Sequence, residues 1–164
     1  TKRRMTGVQG RADLHIHTMA SDGTAGVAQV LARAEELRLD VIAITDHDRI
    51  DGALRARDAV IPGLTVIVGS EVRTAQGDLI ALFLERPITA GLPASEAIAA
   101  IRDQGGLVGI PHPFDGWRGS LLRDEAALLL LSEVDWIEGW NARLVAPGGN
   151  QRAAELAVEM AVAA

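Results

Sequence analysis

All four histidines of the chain lie in short motifs whose spacing suits metal binding, at His15, His17, His47 and His112. Each comes at or just after the C-terminal end of a residue run that predicts a β-strand. In α/β proteins the C-terminal ends of parallel strands meet at one rim, where active sites form. Three different predicted strands therefore bring every imidazole of the chain to the same end of the molecule.

The first motif is DLHIH, in which one residue separates two histidines. Side chains on a strand alternate between its faces, so His15 and His17 point the same way and can chelate one ion. Two surface histidines on an edge strand are the alternative. Asp13 shares that face and is a candidate for orienting an imidazole. In the next loop, Asp22 is a candidate ligand for a second ion, although such aspartates more often serve in loops or helix caps.

The second predicted strand changes abruptly from apolar residues to the sequence Thr45-Asp46-His47-Asp48. Burying such groups is costly unless they are paired or metal-bound, which favours His47 as a ligand. Of the two aspartates, one is expected to orient His47 and the other to cap the next helix. Asp46 is also a candidate catalytic residue.

Two later strand ends add a glutamate and the last histidine. Glu71 follows the third predicted strand, where it can bridge two ions and offset part of their mutual repulsion. A salt bridge at the rim is the alternative. Prolines on both sides of His112 stiffen its turn and fix the direction of the imidazole. A core histidine with satisfied hydrogen bonds is the alternative there.

The combination of imidazoles and carboxylates suits Mn, Fe or Zn better than Mg or Ca. Paired ions about 3.5–4 Å apart are typical of phosphoester hydrolysis, in which one ion lowers the pKa of a water molecule and others clamp the phosphate oxygens. Positive side chains are also needed for the phosphate. Arg118 and Arg143 lie near the predicted rim and are candidates for that role, with solvent-exposed arginines as the alternative.

Strand and helix patterns alternate along the chain and supply the elements that carry these residues. The predicted strands are residues 12–17, 40–45, 64–68, 78–84, 107–110 and 135–140, and the predicted helices are residues 24–39, 51–60, 93–105, 120–132 and 151–164. Pro93 suits a first helical position, and Asn150 is a candidate cap for the last helix. The fourth strand is expected to run antiparallel to the third, because only a short loop separates them. The alternation predicts a mainly parallel α/β sheet or barrel.

Composition narrows the class of protein. The 164 residues are the length of about one domain and include no cysteine, which excludes disulfides and thiolate metal sites. A net charge of −6 argues against an extended nucleic-acid surface but not against a nucleotide substrate. No apolar run is long enough to span a bilayer, and the basic start lacks the apolar segment of a signal peptide. The cytoplasm is therefore the expected compartment, and residues 1–10 are expected to form a flexible extension.

Four ordered motifs resemble those of the PHP (polymerase and histidinol phosphatase) family: ADLHIHTMASDGT, VIAITDHD, VIVGSEV and GGLVGIPHPF. A further stretch, VDWIEGWNAR, resembles the region before the family's last motif. The resemblance implies a distorted seven-stranded (β/α) TIM-like barrel that binds two or three divalent metal ions. By motif match, the ligands would fall into three groups: His15 with His17 and Glu71, Asp22 with His47, and Glu71 with His112.

Members of this family hydrolyse phosphoesters, so the resemblance implies a metal-dependent phosphoesterase acting on a small phosphorylated substrate such as a nucleotide. The family's final Asp-x-His motif supplies two further ligands, but no histidine follows His112. We therefore expect residues 11–164 to form a C-terminally truncated PHP domain that lacks its last strands and does not complete its metal shells. An incomplete barrel would leave an exposed edge strand at which a second chain could pair.

Two other interpretations remain open at this point. An amidohydrolase also carries an HxH motif on the first strand of a barrel, and many amidohydrolases bridge their metals with a carbamylated lysine. The sole lysine here is Lys2, far before the first strand, so only a carboxylate-bridged form is compatible. The other interpretation is a non-catalytic, degenerate PHP domain with a binding or structural role, which the missing final motif favours.

Overall fold

The computed structural model describes residues 10–121, 126–144, 147–160 and 162. The predicted extension at residues 1–10 lies outside this part, apart from Gly10. Among the described residues, no helix has both the length and the apolar composition to cross a bilayer. In chain order the elements are β1 (Ala12–Ile16), α1 (Val27–Glu36), β2 (Val41–Ile44), α2 (Asp51–Asp58), β3 (Thr65–Arg73), β4 (Asp78–Leu82), α3 (Ala94–Arg102), β5 (Leu107–Ile110), a 3₁₀ helix (Ala126–Glu133), β6 (Trp136–Ile137) and α4 (Gly149–Glu159).

Strands and helices occur near the residues that the sequence predicts, with differences in β3 and near the C-terminal end. β3 extends to Arg73, beyond the predicted end at residue 68, so Glu71 lies within the strand and does not follow it. Residues 126–133 form a 3₁₀ helix instead of the α-helix expected for residues 120–132, of which residues 122–125 lie outside the described part. The last strand is shorter than predicted. Pro93 is the N-cap residue of α3 and not its first helical residue.

The prediction that Asn150 caps the last helix is wrong. The N-cap residue of α4 is Gly148, whose φ of 73° lies in the left-handed region that glycine adopts without strain. Asn150 instead binds the loop after β6 through its side chain. Asn150 Oδ1 accepts from Asn141 N at 3.0 Å, and Asn150 Nδ2 donates to Asn141 O at 3.2 Å. The start of α4 therefore fixes the backbone that follows β6.

Six strands form one mixed sheet in the order β1-β2-β3-β4-β5-β6. β4 runs antiparallel to both of its neighbours, β3 and β5, and the other neighbouring pairs are parallel. The predicted antiparallel pairing of β3 with β4 is confirmed. Because only β4 is reversed, its first residue, Asp78, lies at the same rim as the C-terminal ends of the other strands.

The sheet curls into a half-barrel, and the closed seven-stranded barrel that the resemblance implied is not confirmed. β1 and β6 form the two edges of the described sheet. The curl nevertheless brings Glu138, directly after β6, to His15 in β1, with 3.0 Å between Glu138 Oε1 and His15 Nδ1. Among the described residues, the two edges therefore meet at the rim through side chains and not through backbone pairing.

β2 is the buried centre of the sheet, as its continuous apolar sequence predicts. Ile42, Ala43 and Ile44 have no exposed surface. Ile42 and Ile44 pack in the larger core with residues of the helices, whereas Ala43 packs on the opposite face with apolar residues of β3 and β4. Burying one such isoleucine contributes about 1.5–3 kcal/mol of hydrophobic stabilisation. The two clusters hold the strand ends, and with them the rim residues, in place.

Gly109 in β5 allows β6 to pack closely against it. The two strands pair with Gly109 opposite Trp136, and a Cβ atom added at Gly109 would lie 2.1 Å from Trp136 Cε2. The indole ring thus occupies the space that a larger residue at this position would need. Since β6 leads directly into Glu138, the same close packing sets the position of that carboxylate at the rim.

We expect Gly109→Ala to lower the free energy of unfolding by about 1–3 kcal/mol, because the indole ring must move away from β5. Urea denaturation followed by circular dichroism measures the change. Gly116→Ala is the matched control, since nothing lies within 4 Å of a Cβ atom built at Gly116. The control should change stability by less than about 0.5 kcal/mol. Equal stability of the two variants would contradict the packing of Trp136 on Gly109.

Candidate metal centre

The buried carboxylate of Glu71 contacts all four imidazoles of the chain. Glu71 Oε2 lies 2.8 Å from His17 Nε2 and 3.2 Å from His15 Nε2. The same oxygen lies 3.6 Å from His47 Nε2, and Glu71 Oε1 lies 2.8 Å from His112 Nε2. The histidines that the sequence predicts to lie at one rim therefore converge around a single carboxylate.

Neighbouring carboxylates assign the tautomers of His15 and His17. His15 Nδ1 lies 3.0 Å from Glu138 Oε1, and His17 Nδ1 lies 2.6 Å from Asp22 Oδ1. A carboxylate accepts hydrogen bonds, so each Nδ1 carries a proton and each Nε2 keeps a lone pair in the neutral ring. The two Nε2 atoms lie 3.0 Å apart and both face Glu71. Three electron-rich atoms this close repel one another unless a proton or a metal cation lies between them.

Three groups of donor atoms are compact enough to hold ions, with the donor atoms of each group within 4.8 Å of one another. The groups are His15 with His17 and Glu71, His17 with Asp22 and His47, and Glu71 with Asp78 and His112. His17 and Glu71 each belong to two groups, so the ion positions would be adjacent. Imidazole and carboxylate donors fit Mn, Fe or Zn. The donor set is thus compatible with two or three divalent ions, while the role of each residue as a ligand stays a prediction.

Protons compete with a metal ion for the same donors. Burial by itself lowers the pKa of His15, but hydrogen bonds to Glu138 and Glu71 and the charges of both carboxylates raise it to about 9. Burial raises the pKa of Glu71, whereas hydrogen bonds with His112, His15 and His17 hold it well below its ordinary value. Glu71 therefore stays ionised. Without a metal ion, the cluster of Glu71 and the four histidines keeps a second proton on His15 at neutral pH.

Backbone hydrogen bonds between the ends of β2 and β3 position His47 beside Glu71. Glu71 N donates to Thr45 O at 3.0 Å, and Asp48 N donates to Glu71 O at 3.0 Å. Asp48 has a φ of 54°, a conformation that aspartate adopts more readily than most residues. The polar sequence after β2 therefore turns along the rim beside β3, which brings the imidazole of His47 to the carboxylate of Glu71.

His112 has an unusual backbone conformation. Its φ of 30° lies in the positive region that costs free energy for a residue with a side chain. Its backbone N–H donates to Glu138 Oε2 at 2.6 Å. The imidazole is buried, and Nδ1 has no partner among the described residues. Glu138 thus acts together with the flanking prolines on the turn that directs this ring.

Asp46 makes contacts other than those predicted. It is fully buried; its Oδ1 accepts from Thr18 N at 2.7 Å and from Ser21 Oγ at 2.6 Å, and its Oδ2 accepts from Thr18 Oγ1 at 2.7 Å. These hydrogen bonds anchor the loop that leads to Asp22 and do not orient His47. Asp46 thus positions the first loop, and a direct catalytic role for it stays a prediction.

The other two aspartates near the histidine motifs also differ from expectation. Asp48 accepts from the backbone N–H and from Nε of Arg73. It does not cap α2, whose N-cap residue is Ile50 without a side-chain hydrogen bond. Asp13 accepts from the backbone N–H of His15 at 3.2 Å and not from an imidazole. Both carboxylates therefore support the backbone around the cluster.

The two predicted phosphate-binding arginines lie beside the cluster and not in it. Arg118 donates through Nε to Asp115 Oδ2 at 2.6 Å and through Nη2 to Asn141 Oδ1 at 3.2 Å. Asn141 in turn donates to both carboxylate oxygens of Glu138 at 3.0 Å, so Arg118 reaches the cluster only through two other side chains. Arg143 is exposed, and its backbone N–H donates to Asn141 Oδ1. A role for either guanidinium in phosphate binding stays a prediction.

Sequence analysis missed two acidic residues of the cluster. Asp78 begins β4, and a search for polar residues at the C-terminal ends of strands passes over it because β4 is reversed. Burial and the negative charge of Glu71 both raise the pKa of Asp78, which a nearby cation would counteract. Glu138 directly follows β6, which ends at Ile137, whereas the sequence predicts a strand that runs to residue 140 and so places Glu138 inside it and not at its end.

Comparisons with known proteins match the region that contains the three donor groups. The PHP domain family model matches residues 13–134, a range that includes every residue of the three donor groups. The uncharacterized protein MJ1587 of Methanocaldococcus jannaschii is 37% identical over 116 residues, which cover 63% of this chain and 68% of that protein. The 5'-3' exoribonuclease Rnm of Escherichia coli strain K12 is 40% identical over 65 residues, which cover 38% of this chain and 22% of that enzyme.

A solved structure shares the fold. It is a two-domain protein of Bacteroides vulgatus that contains a predicted PHP-like metal-dependent phosphoesterase, and it aligns with a TM-score of 0.74 at 22% sequence identity. The alignment covers 95% of this chain and 55% of that chain. At this identity the likeness concerns the curled α/β architecture. The chain thus spans about half of that structure and about a fifth of the exoribonuclease.

We expect Glu138→Ala to weaken metal binding by about 10–100-fold, because the acceptor that orients a candidate ligand is lost. The variant removes the partner of both His15 Nδ1 and the backbone N–H of His112. Competition with a chromophoric chelator on metal-stripped protein measures the affinity. Glu85→Ala is the control, since Glu85 is exposed. If the two variants bound metal equally, Glu138 would not orient a ligand.

Metal binding is expected to release a proton from His15 at neutral pH. The pKa of His15 in the metal-free cluster is about 9, compared with about 6.5 for an unperturbed histidine. Below pH 9 the ring is therefore protonated and must lose that proton to bind an ion, so apparent metal affinity should rise with pH up to about 9. Titration calorimetry in buffers of different ionisation enthalpy measures the release. A binding heat independent of the buffer would be the contrary result.

Proposed function

The chain belongs to the PHP domain family, and on that premise we propose that it is a metal-dependent phosphoesterase that hydrolyses a phosphomonoester or a nucleotide-type phosphoester. The observation that carries the proposal is the convergence of all four imidazoles on the carboxylate of Glu71, with Asp22 and Asp78 beside it. Donor sets of this kind suit the adjacent divalent ions of phosphoester-hydrolysing sites.

The residues of the chain would hold the ions and keep their donors in fixed directions. Glu138 keeps one proton of His15 on Nδ1, and Asp22 does the same for His17, so both Nε2 atoms face Glu71. When bound, divalent ions supply the activation of a water molecule for attack on phosphorus and the neutralisation of the phosphate oxygens. We propose Mn, Fe or Zn, because imidazole ligands favour these metals over Mg or Ca.

A phosphoester is the substrate class that the family and its relatives support. The exoribonuclease and the protein that contains a PHP-like phosphoesterase are both named for this type of bond. Because the chain spans only 22% of the exoribonuclease, we propose the shared bond chemistry and not action on RNA chains. The net charge of −6 argues for a small substrate such as a nucleotide, whose charge the ions would neutralise locally.

Metal content is the first measurement for this proposal. Protein purified without chelator should contain about two or three equivalents of Mn, Fe or Zn by inductively coupled plasma mass spectrometry. It should then release phosphate from phosphomonoesters or nucleoside bisphosphates. Removing the metal with EDTA should abolish the activity, and adding the metal back should restore it.

Variants and substrates separate the competing interpretations. His15→Ala combined with His17→Ala should lose at least one ion and the activity while the circular dichroism spectrum is retained. Glu85→Ala should keep its metal content and its activity. Hydrolysis of amides and not phosphoesters would support a carboxylate-bridged amidohydrolase. A folded protein that binds metal and hydrolyses neither would be a non-catalytic PHP domain.

A further inference from the structure

A cleft of about 290 Å³ opens beside the second donor group. Its lining contains Asp22 and His47, two of the three residues of that group, together with Arg49 and Arg73. Neither arginine was singled out from the sequence. The cleft thus joins a candidate metal position to two guanidinium groups, which is the combination that binds a phosphate group.

Hydrogen bonds to Asp48 position Arg73 and use only some of its N–H donors. It lies two residues after Glu71 in β3, so both side chains leave the same face of the strand. Asp48 accepts from the backbone N–H and from Nε of Arg73. Among the described residues, none accepts a hydrogen bond from Nη1 or Nη2 of Arg73, and 65% of its side chain is exposed.

Arg49 is held in a comparable way. Its Nε donates to Asp51 Oδ1 at 2.5 Å, and its Nη1 donates to Ala20 O at 2.7 Å. Within the described part of the chain, Nη2 has no acceptor. Two anchoring hydrogen bonds restrict the guanidinium, so binding an anion costs less conformational entropy than it would for a free surface arginine. The hydrogen bond to Ala20 also ties Arg49 to the loop that carries Asp22.

The positive charge of Arg49 and Arg73 offsets the acidic character of the cluster for an anionic substrate. The carboxylates of Asp22, Glu71, Asp78 and Glu138 make the cluster strongly acidic, and an anionic substrate needs positive charge on its path as well as at the ions. Each guanidinium uses its Nε edge for an aspartate, Asp51 or Asp48, and keeps other N–H donors for a ligand. A planar guanidinium matches two oxygens of a phosphate group.

We propose that Arg49 and Arg73 form an anion-binding pair that holds a phosphate group of the substrate in this cleft, next to His47 and Asp22. The inference rests on the proposed function and deepens it by naming the side chains that recognise the phosphate. Arg118 does not line this cleft, and its guanidinium donates to Asp115 and Asn141 instead of facing the second donor group.

Binding of inorganic phosphate to the metal-loaded protein tests the pair. Titration calorimetry should show that Arg49→Gln and Arg73→Gln each weaken phosphate binding by about 10-fold or more, as expected for the loss of hydrogen bonds to a charged group. Arg57→Gln is the matched control, because Arg57 is an exposed arginine of α2 that pairs with Asp58 outside the cleft lining. The control should bind phosphate as the wild type does, and all three variants should retain the wild-type metal content.

The kinetic signature is a raised KM for the phosphoester and a raised inhibition constant for phosphate, with a smaller change in kcat. Phosphate binding by both cleft variants equal to that of Arg57→Gln would overturn the proposal, and so would a loss of kcat without any loss of phosphate affinity. If the wild type bound phosphate through Arg49 and Arg73 but hydrolysed no phosphoester, the anion site would stand and the proposed catalytic function would fail. If the two cleft variants still hydrolysed the phosphoester and bound phosphate as tightly as the wild type, the proposed anion site would be wrong and the proposed catalytic function would stand.

Discussion

The arrangement of the rim depends on one buried carboxylate, Glu71, which four imidazoles share. A negative charge in such a place is costly unless it is neutralised. The imidazoles of His112, His17 and His15 provide that neutralisation from 2.8 to 3.2 Å, and His47 Nε2 lies farther away, at 3.6 Å. Hydrogen bonds with the histidines lower the pKa of Glu71, and Glu138 together with Glu71 raises the pKa of His15. The cluster therefore keeps a strong affinity for positive charge, which either protons or divalent metal ions can satisfy.

A set of other carboxylates holds this cluster in shape, each by a different contact. Asp46 anchors the first loop through Thr18 and Ser21. Glu138 joins the two edges of the half-barrel by binding His15 from β1 and the backbone N–H of His112 after β5. These groups are buried and lie immediately behind the donors. The hydrogen bonds of Glu138 orient His15 and the turn of His112, and those of Asp46 position the loop that leads to Asp22. The geometry of the centre therefore depends on the folded sheet as well as on the loops.

The arginines around the metal centre differ in what they contact. Arg118 supports other side chains of the centre, whereas Arg49 and Arg73 are the residues proposed to bind the substrate phosphate. Arg118 is tied to Asp115 and Asn141, and through Asn141 it supports Glu138. Arg49 and Arg73 line the cleft beside His47 and retain N–H donors that the described residues do not use. These two cleft-lining arginines come from the turn after β2 and from the end of β3. The same two segments also supply His47 and Glu71.

The sequence by itself determined the strands, most of the helices and the rim to which the histidines are delivered. These features follow from local periodicity and from the rule that parallel strands end together. Tertiary structure decided what depends on contacts between distant segments. The reversed direction of β4 brought Asp78 to the rim, and the curl of the sheet brought Glu138 to His15. The partners of Asp46 and Asp48, and the choice of arginines beside the cleft, were settled by how loops from different strands meet. A residue's type and position in the sequence indicate what chemistry it can perform, but only the folded sheet determines which other groups lie within hydrogen-bonding distance of it.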